Sequence, residues 1–212
     1  MNIRRLHFFE VIHSFLMRYV LHKRRSGYGH IGKNSFVHTP SICGAGQKNI
    51  YLGDNVNIDW NSVLYCDSAK FIMKDNSEAA VGLTVVTGNH SRGVGEKKDL
   101  ATGIDNLVGR DVIVEEDVWI AANVTLLAGA QIGRGSIIGA GSVIRTCKIP
   151  PYAIVMGNPA KVVGFRFTVD EILEHEKALY SESERIPEDQ LRKNYNTYFI
   201  KRIKEISTFS RI

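Results

Sequence analysis

A period of six constrains this chain more than any other feature. Val114, Ile120, Leu126, Ile132, Ile138 and Ile144 follow one another at steps of six. Val, Ile and Leu make up 54 of the 212 residues, so six matches at one phase arise by chance about once in 4,000 trials. An α-helix repeats about every 3.6 residues and a simple strand about every two, and neither gives this comb. The residues two places earlier, Val112, Val118, Val124, Ala130, Ser136 and Ser142, are all small or branched. Ala121, Gly133 and Gly139 follow comb positions. One short strand and one turn per repeat, with one apolar side chain turned inward each time, describes a parallel β-helix. The expected fold class is therefore an all-β solenoid.

The comb extends upstream with gaps, as Ile31, Val37 and Cys43, then Leu52, Ile58 and Leu64, then Met73, Ala79 and Val85. Its phase slips near residues 50 and 71, which implies small insertions. It vanishes between residues 86 and 113. There Gly88–Gly109 is rich in glycine, charge and polar side chains and reads as a loop thrown out of the solenoid. A loop of that length in a compact repeat usually carries function. Pro150-Pro151 ends the repeats, and Asn158-Pro159 marks a turn. Thr168-Val-Asp-Glu171 has the form of a capping box opening a helix, with Ile172, Leu173 and Leu179 as its apolar face. Pro187 begins a second helical stretch carrying Leu191, Tyr195, Tyr198, Phe199 and Ile203. An open solenoid end needs a cap, and residues 166–212 supply one as a C-terminal helical extension.

The net charge of +5 belongs to one segment. Residues 1–25 hold six basic residues against Glu10, and the remaining 21 basic and 21 acidic residues cancel. The bulk of the protein is thus not a nucleic-acid surface by charge. Ile3, Leu6, Phe9, Ile12, Leu16, Tyr19 and Val20 recur at three- and four-residue spacing, so residues 1–27 are expected as an N-terminal amphipathic helix stopped by Gly27. Arg4, His7, Glu10, His13 and Arg18 interrupt any signal-peptide core. Packing on the main domain or on a neighbouring subunit is the plain reading of this helix. Peripheral contact with anionic lipid through His22–Arg25 is the alternative. No run approaches the roughly 20 apolar residues of a membrane span. Cys43, Cys66 and Cys147 form no Cys-x-x-Cys pair, which excludes a zinc ribbon and fits a reducing compartment.

Three blocks make the repeats recognisable: Asp117-Val-Trp-Ile-Ala-Ala-Asn-Val-Thr-Leu-Leu127, Ile132-Gly-Arg-Gly-Ser-Ile-Ile-Gly-Ala-Gly-Ser-Val143 and Gly157-Asn-Pro-Ala-Lys-Val162. They resemble the hexapeptide-repeat acyltransferases, in the maltose/galactoside and xenobiotic acetyltransferase branch. Phe165-Arg-Phe and the helix after it are more similar to the xenobiotic and surface-polysaccharide members. The resemblance covers residues 31–165. It implies a left-handed parallel β-helix over residues 28–165, a homotrimer of parallel prisms, active sites in the clefts between subunits, and acetyl-CoA lying along the coils. It implies no metal, and against the three histidine ligands that a trimeric β-helix carbonic anhydrase needs, the coils offer His90 alone in a catalytic context.

The same resemblance assigns roles. His90, in Thr87-Gly-Asn-His-Ser, falls where the family carries its general base, and imidazole is suited to taking a proton from an attacking hydroxyl or amine. Asp59, in Ile58-Asp-Trp-Asn, stands where sugar-acetylating relatives commonly have asparagine. An ionised carboxylate cannot donate a hydrogen bond, so Asp59 would orient His90 or hold the acceptor instead. Asp67 falls where relatives bind acceptor hydroxyls, and Trp60 would stack on a sugar face or pack between subunits. For acetyl-CoA, the backbone edges beside Ala122 and Ala140 suit its amides. Arg145, Thr146 and Lys161 match positions near its nucleotide end, with Lys148 as a substitute for Arg145 and Arg166 as a further cation. His30 and His38 flank the first coil, and His175 belongs to a solvated helix face. The expected activity is acetyl-CoA-dependent O-acetylation of a sugar or sugar-containing acceptor, by direct transfer without an acyl-enzyme. The acceptor hydroxyl is expected on a sugar, in a polysaccharide precursor or a nucleotide-linked sugar, in the cytoplasm. Antibiotic O-acetylation, amino-sugar N-acetylation and a non-catalytic scaffold remain as alternatives.

Overall fold

The computed structural model describes Ile12 and residues 27–38, 43, 45–90, 94 and 107–209. The expected N-terminal helix, and with it the lipid-facing alternative, lies outside the described residues apart from Ile12 and Gly27.

The comb becomes three interior columns. The first stacks Ile31, Leu52, Met73, Val114, Ile132 and Ile149 through parallel pairs of a six-stranded sheet. A second stacks Val37, Ile58, Ala79, Ile120, Ile138 and Val155. The third stacks Leu64, Val85, Leu126 and Ile144 in a four-stranded sheet. Apart from Ile31 and Val37 at the first coil, every member of these columns is buried. Strands of two or three residues suffice because each bonds to the coils on either side, and parallel sheets buried on the inner face want this Val/Ile/Leu content. The serines two places before the comb are satisfied rather than stranded: Ser77 Oγ donates to Glu115 O (2.8 Å) and accepts from the Val118 amide (3.1 Å). The phase slip near residue 50 contains a short 3-10 helix, Ala45–Asn49, and the one near 71 a bend at residues 67–69.

The corners repeat as strictly as the faces. Asn34, Asn55, Asn76, Asp117, Gly135 and Tyr152 form one column, all with φ between 54° and 68°. Each amide from Asn55 onward donates to the carbonyl of the residue preceding its neighbour in the previous coil. Asn tolerates this left-handed conformation because its side chain bonds locally, and here the amides form a ladder, Asn34 to Asn55 (3.2 Å) and Asn55 to Asn76 (3.1 Å). Asn61, Gly82, Asn123 and Gly141 form the second such corner, with φ of 58–78°. Gly135 has no alternative, since a Cβ there would stand 2.5 Å from Tyr152 Cε1.

The chain leaves the solenoid after Val86 and returns at Val112. The excursion starts and ends in an antiparallel ribbon, Gly88–His90 against Leu107–Gly109. Beyond the coils, Ala153–Gly157 and Ala160–Phe165 form an antiparallel hairpin turned by Asn158-Pro159. Helices α1 (Val169–Leu179), α2 (Glu188–Tyr198) and α3 (Ile203–Phe209) follow. Thr168 caps α1 in a full capping box with Glu171, and the helices pack a second small core around Tyr152, Val169, Ile172 and Leu191. Leu179 and Ile203, expected on apolar faces, are 59% and 48% exposed. The packing stripe of α1 instead includes Glu176, which is buried with its charge paired. Among the described residues no helix is long and apolar enough to cross a membrane.

Candidate active site

The residues singled out by sequence fall on two corners of the prism, separated by the four-stranded sheet. On the first lie Asp59 and Trp60 with Ala122 and Ala140. The backbone bonds from Gly82 to Trp60, from Asn123 to Val81 and from Gly141 to Ala122 stack residues 60, 81, 122 and 140 in one column. The Asp59 carboxylate accepts from the amide of Trp60 (2.8 Å). Ser62 Oγ donates to the Asp59 carbonyl at 2.8 Å. The Trp60 ring leans on His38, with centroids 5.2 Å apart, and the His38 Nε2 lies 3.0 Å from Asn57 Oδ1. The Ala122 carbonyl is taken up by Gly141, while Ala140 is exposed.

On the second corner lie His90, Asp67 and Thr146. Thr87, fully buried, anchors it: its amide donates to Tyr65 O (3.0 Å) and its carbonyl accepts from the Arg110 amide (2.9 Å). His90 therefore ends a strand whose root is fixed to the coil, and its side chain is exposed. The pairing of Tyr65 with Val86 puts Asp67, exposed, one coil away from the root of the ribbon. A cleft of about 360 Å³ opens here, lined by Asn89, His90, Val108, Arg110, Ala128 and Thr146. Thr146 Oγ1 donates to Ala128 O (2.7 Å), which leaves its oxygen an acceptor toward the cleft. Asn89 stands in the motif of His90, whereas Arg110 belongs to no motif. The sequence signal for Arg110 is its place where the loop rejoins the coils.

The remaining cations are dispersed. Arg145 is exposed beyond strand Val143–Ile144. Lys148 lies on another face, in a cleft of about 320 Å³ between the last coils and α2. Lys161 Nζ bonds Glu205 of α3 (3.1 Å). Arg166 is tied to Asp117 at 2.6 Å, with its guanidinium over the Phe167 ring. His175 is not on a solvated face: its Nε2 is enclosed 3.9 Å from Asp117, and its ring packs edge-on to Tyr152. Among the described residues no group of three or more His, Cys, Asp or Glu side chains is placed to hold a metal ion.

The bacterial transferase hexapeptide family, in six repeats, matches residues 111–146. Over that segment the chain carries the hexapeptide repeat of these transferases. Solved members extend the likeness beyond those repeats. A hexapeptide-repeat acetyltransferase from Vibrio cholerae O1 biovar eltor, complexed with acetyl-coenzyme A, is 28% identical over 71% of this chain and 77% of its own, with a TM-score of 0.60. A maltose O-acetyltransferase from Clostridium difficile 630 is 29% identical over 68% of this chain and 73% of its own, with a TM-score of 0.58. A galactoside acetyltransferase in complex with coenzyme A shares the fold at 23% identity, covering 77% of this chain and 74% of its own, with a TM-score of 0.58. No curated protein sequence matches the chain. The coils that carry the His90 cleft are thus similar to those of solved acetyltransferases.

Proposed function

We propose that this chain transfers an acetyl group from acetyl-CoA to a hydroxyl of a sugar or sugar-containing acceptor, with His90 as general base. The observation that carries the reading is the position of His90: it projects from a ribbon rooted on buried Thr87, beside an open cleft. The His90 imidazole takes the acceptor's proton as its oxygen attacks the thioester carbonyl carbon. A tetrahedral oxyanion forms, the C–S bond breaks, and the CoA thiolate recovers the proton from the imidazolium. The acceptor oxygen is itself the nucleophile, so no serine or cysteine takes part and no acyl-enzyme arises.

The division of site residues between two corners supports assembly as a trimer, and the hexapeptide repeats support a left-handed coil. Head-to-tail contacts between unlike surfaces close into a ring when the rotation is a third of a turn. Setting the Asp59–Ala122–Ala140 corner of one subunit against the His90–Thr146 corner of the next would make one cleft from two chains. Acetyl-CoA would run along the small side chains of the first corner to reach the His90 of the second.

Calorimetry with acetyl-CoA tests the class without an acceptor. A micromolar Kd, about −8 kcal/mol, at one site per subunit is expected, and no binding at millimolar cofactor would overturn the reading. His90→Ala is expected to retain that affinity and to lose about 100- to 10,000-fold in turnover.

A further inference from the structure

Among the described residues that line the candidate cleft, Arg110 and His90 are the basic side chains and none is a carboxylate. Among the described residues Arg110 makes no ion pair. Its place is set on both sides. Its amide is held by the Thr87 carbonyl (2.9 Å). Its stem crosses Gly129, where an added Cβ would stand 3.3 Å from Arg110 Cδ and 2.9 Å from Thr146 Cγ2. A bare glycine at φ +82° thus lets the arginine and the threonine lie against the coil. The guanidinium is permanently charged and forked, a shape that matches carboxylate and phosphate oxygens.

The ribbon register sets its distance from the chemistry. His90 faces Leu107, and Arg110 follows three residues later. At about 3.4 Å per strand residue, the two Cα atoms are roughly 10 Å apart. That separation is between backbones, and both side chains line the same cleft, so an acceptor bound there would meet the imidazole and the guanidinium together.

We propose, resting on the transferase reading above, that Arg110 selects acceptors bearing an oxyanion group, carboxylate or phosphate, on the side of the saccharide away from the hydroxyl that reacts. The cleft is then a two-point site, with His90 at the reacting hydroxyl and Arg110 at the anion.

The test uses the full chain with acetyl-CoA and three probes: galactose, galacturonate and galactose 1-phosphate. Thiol release gives kcat/KM for each, and calorimetry without cofactor gives the Kd of each. At least one anionic probe is expected to exceed galactose by tenfold or more. Whether that probe is galacturonate or the phosphate separates the two sources of the charge. In Arg110→Gln the anionic-to-neutral ratio is expected to fall at least tenfold, chiefly through KM, with partial recovery in Arg110→Lys. A ratio unchanged in Arg110→Gln would overturn the proposal, as would wild-type protein that binds no anionic probe more tightly than galactose. A weakened acetyl-CoA Kd in Arg110→Gln would likewise overturn it and move Arg110 to the cofactor. Failure of wild-type protein to bind acetyl-CoA at all would count against the transferase reading, whereas the anion Kd values still decide the role of Arg110.

Discussion

The Tyr152 hydroxyl donates a 2.5 Å hydrogen bond to Glu176 Oε1, joining the last coil to the first helix of the tail. The same carboxylate accepts from Arg134 (3.1 Å) and from the Ile186 amide (3.0 Å), and Arg134 reaches back to Glu116 (2.8 Å). Glu176 is 1% exposed. Removing Glu176 leaves the Tyr152 hydroxyl and the Ile186 amide without their acceptor and Arg134 with Glu116 as its carboxylate partner, and each buried group left unsatisfied costs about 1–3 kcal/mol. Glu176→Ala is therefore expected to unfold at least the helical tail early in a urea titration. Tyr152→Phe, which deletes only the hydroxyl, is expected to cost about 1–3 kcal/mol. Equal midpoints for Glu176→Ala and wild type would remove this clamp from the account.

Alkaline pH acts on this clamp and on the coil core. Burial, then the bond to Glu176, raises the Tyr152 phenol well above its usual value, and burial followed by Cys43 pushes the Cys66 thiol up to about 12. Both groups are held protonated in the folded state, so unfolding makes them easier to ionise. Their contribution is complete below the unfolded values, about 8.5 for cysteine and 10 for tyrosine. It is lost as pH rises from there toward the folded values. Tm is expected to fall steadily above about pH 9, and less steeply in Cys66→Ala. A flat Tm between about pH 8 and pH 11 would contradict this.

Gly135 and Gly141 separate two costs of replacing a corner glycine. Both have nearly the same φ, +68° and +69°, but a Cβ at Gly135 meets Tyr152 at 2.5 Å whereas one at Gly141 meets nothing within 4 Å. Gly141→Ala is expected to lose about 1–2 kcal/mol from backbone strain alone. Gly135→Ala adds an overpacking cost of about 1–3 kcal/mol. Chemical denaturation of the two variants compares them directly, and equal losses would mean that the Tyr152 ring yields freely.

Lys161 is shared between two readings, a cation for the nucleotide end of acetyl-CoA and a partner of Glu205. The pair is about half exposed, so it adds little stability, about 0–1 kcal/mol. If Lys161 also meets phosphate, Glu205 competes for it. Lys161→Ala is then expected to weaken acetyl-CoA binding several-fold and Glu205→Gln to strengthen it, both effects shrinking in high salt. Calorimetry that finds neither change would leave Lys161 as part of the helix attachment alone.

Much of this was legible in the sequence because a solenoid writes its fold locally. Val114 through Ile144 show the period directly, and the capping box at Thr168 marks the start of α1 to the residue. The clamp was not legible. Arg134 and Glu176 are 42 residues apart, and Asp117 and Arg166 49 apart, and no local pattern pairs charges across such separations. Tyr152 is the clearest case. Its corner position calls for Asn, Asp or Gly, and tyrosine with φ +60° is tolerated there because its hydroxyl and ring are held from the helix side. At the candidate site, His90 stood out through its motif, while Arg110 gained meaning once the ribbon register and the bare surface of Gly129 were known.

The single backbone bond from Arg110 to Thr87 has one further consequence. It clasps the excursion at its neck, so the coils register with one another whatever lies between those two residues. Loop closure grows only logarithmically, about 0.6 kcal/mol for each doubling of length. The segment between them is in effect an interchangeable cassette. A lineage could exchange it while the coils beneath stayed as they are.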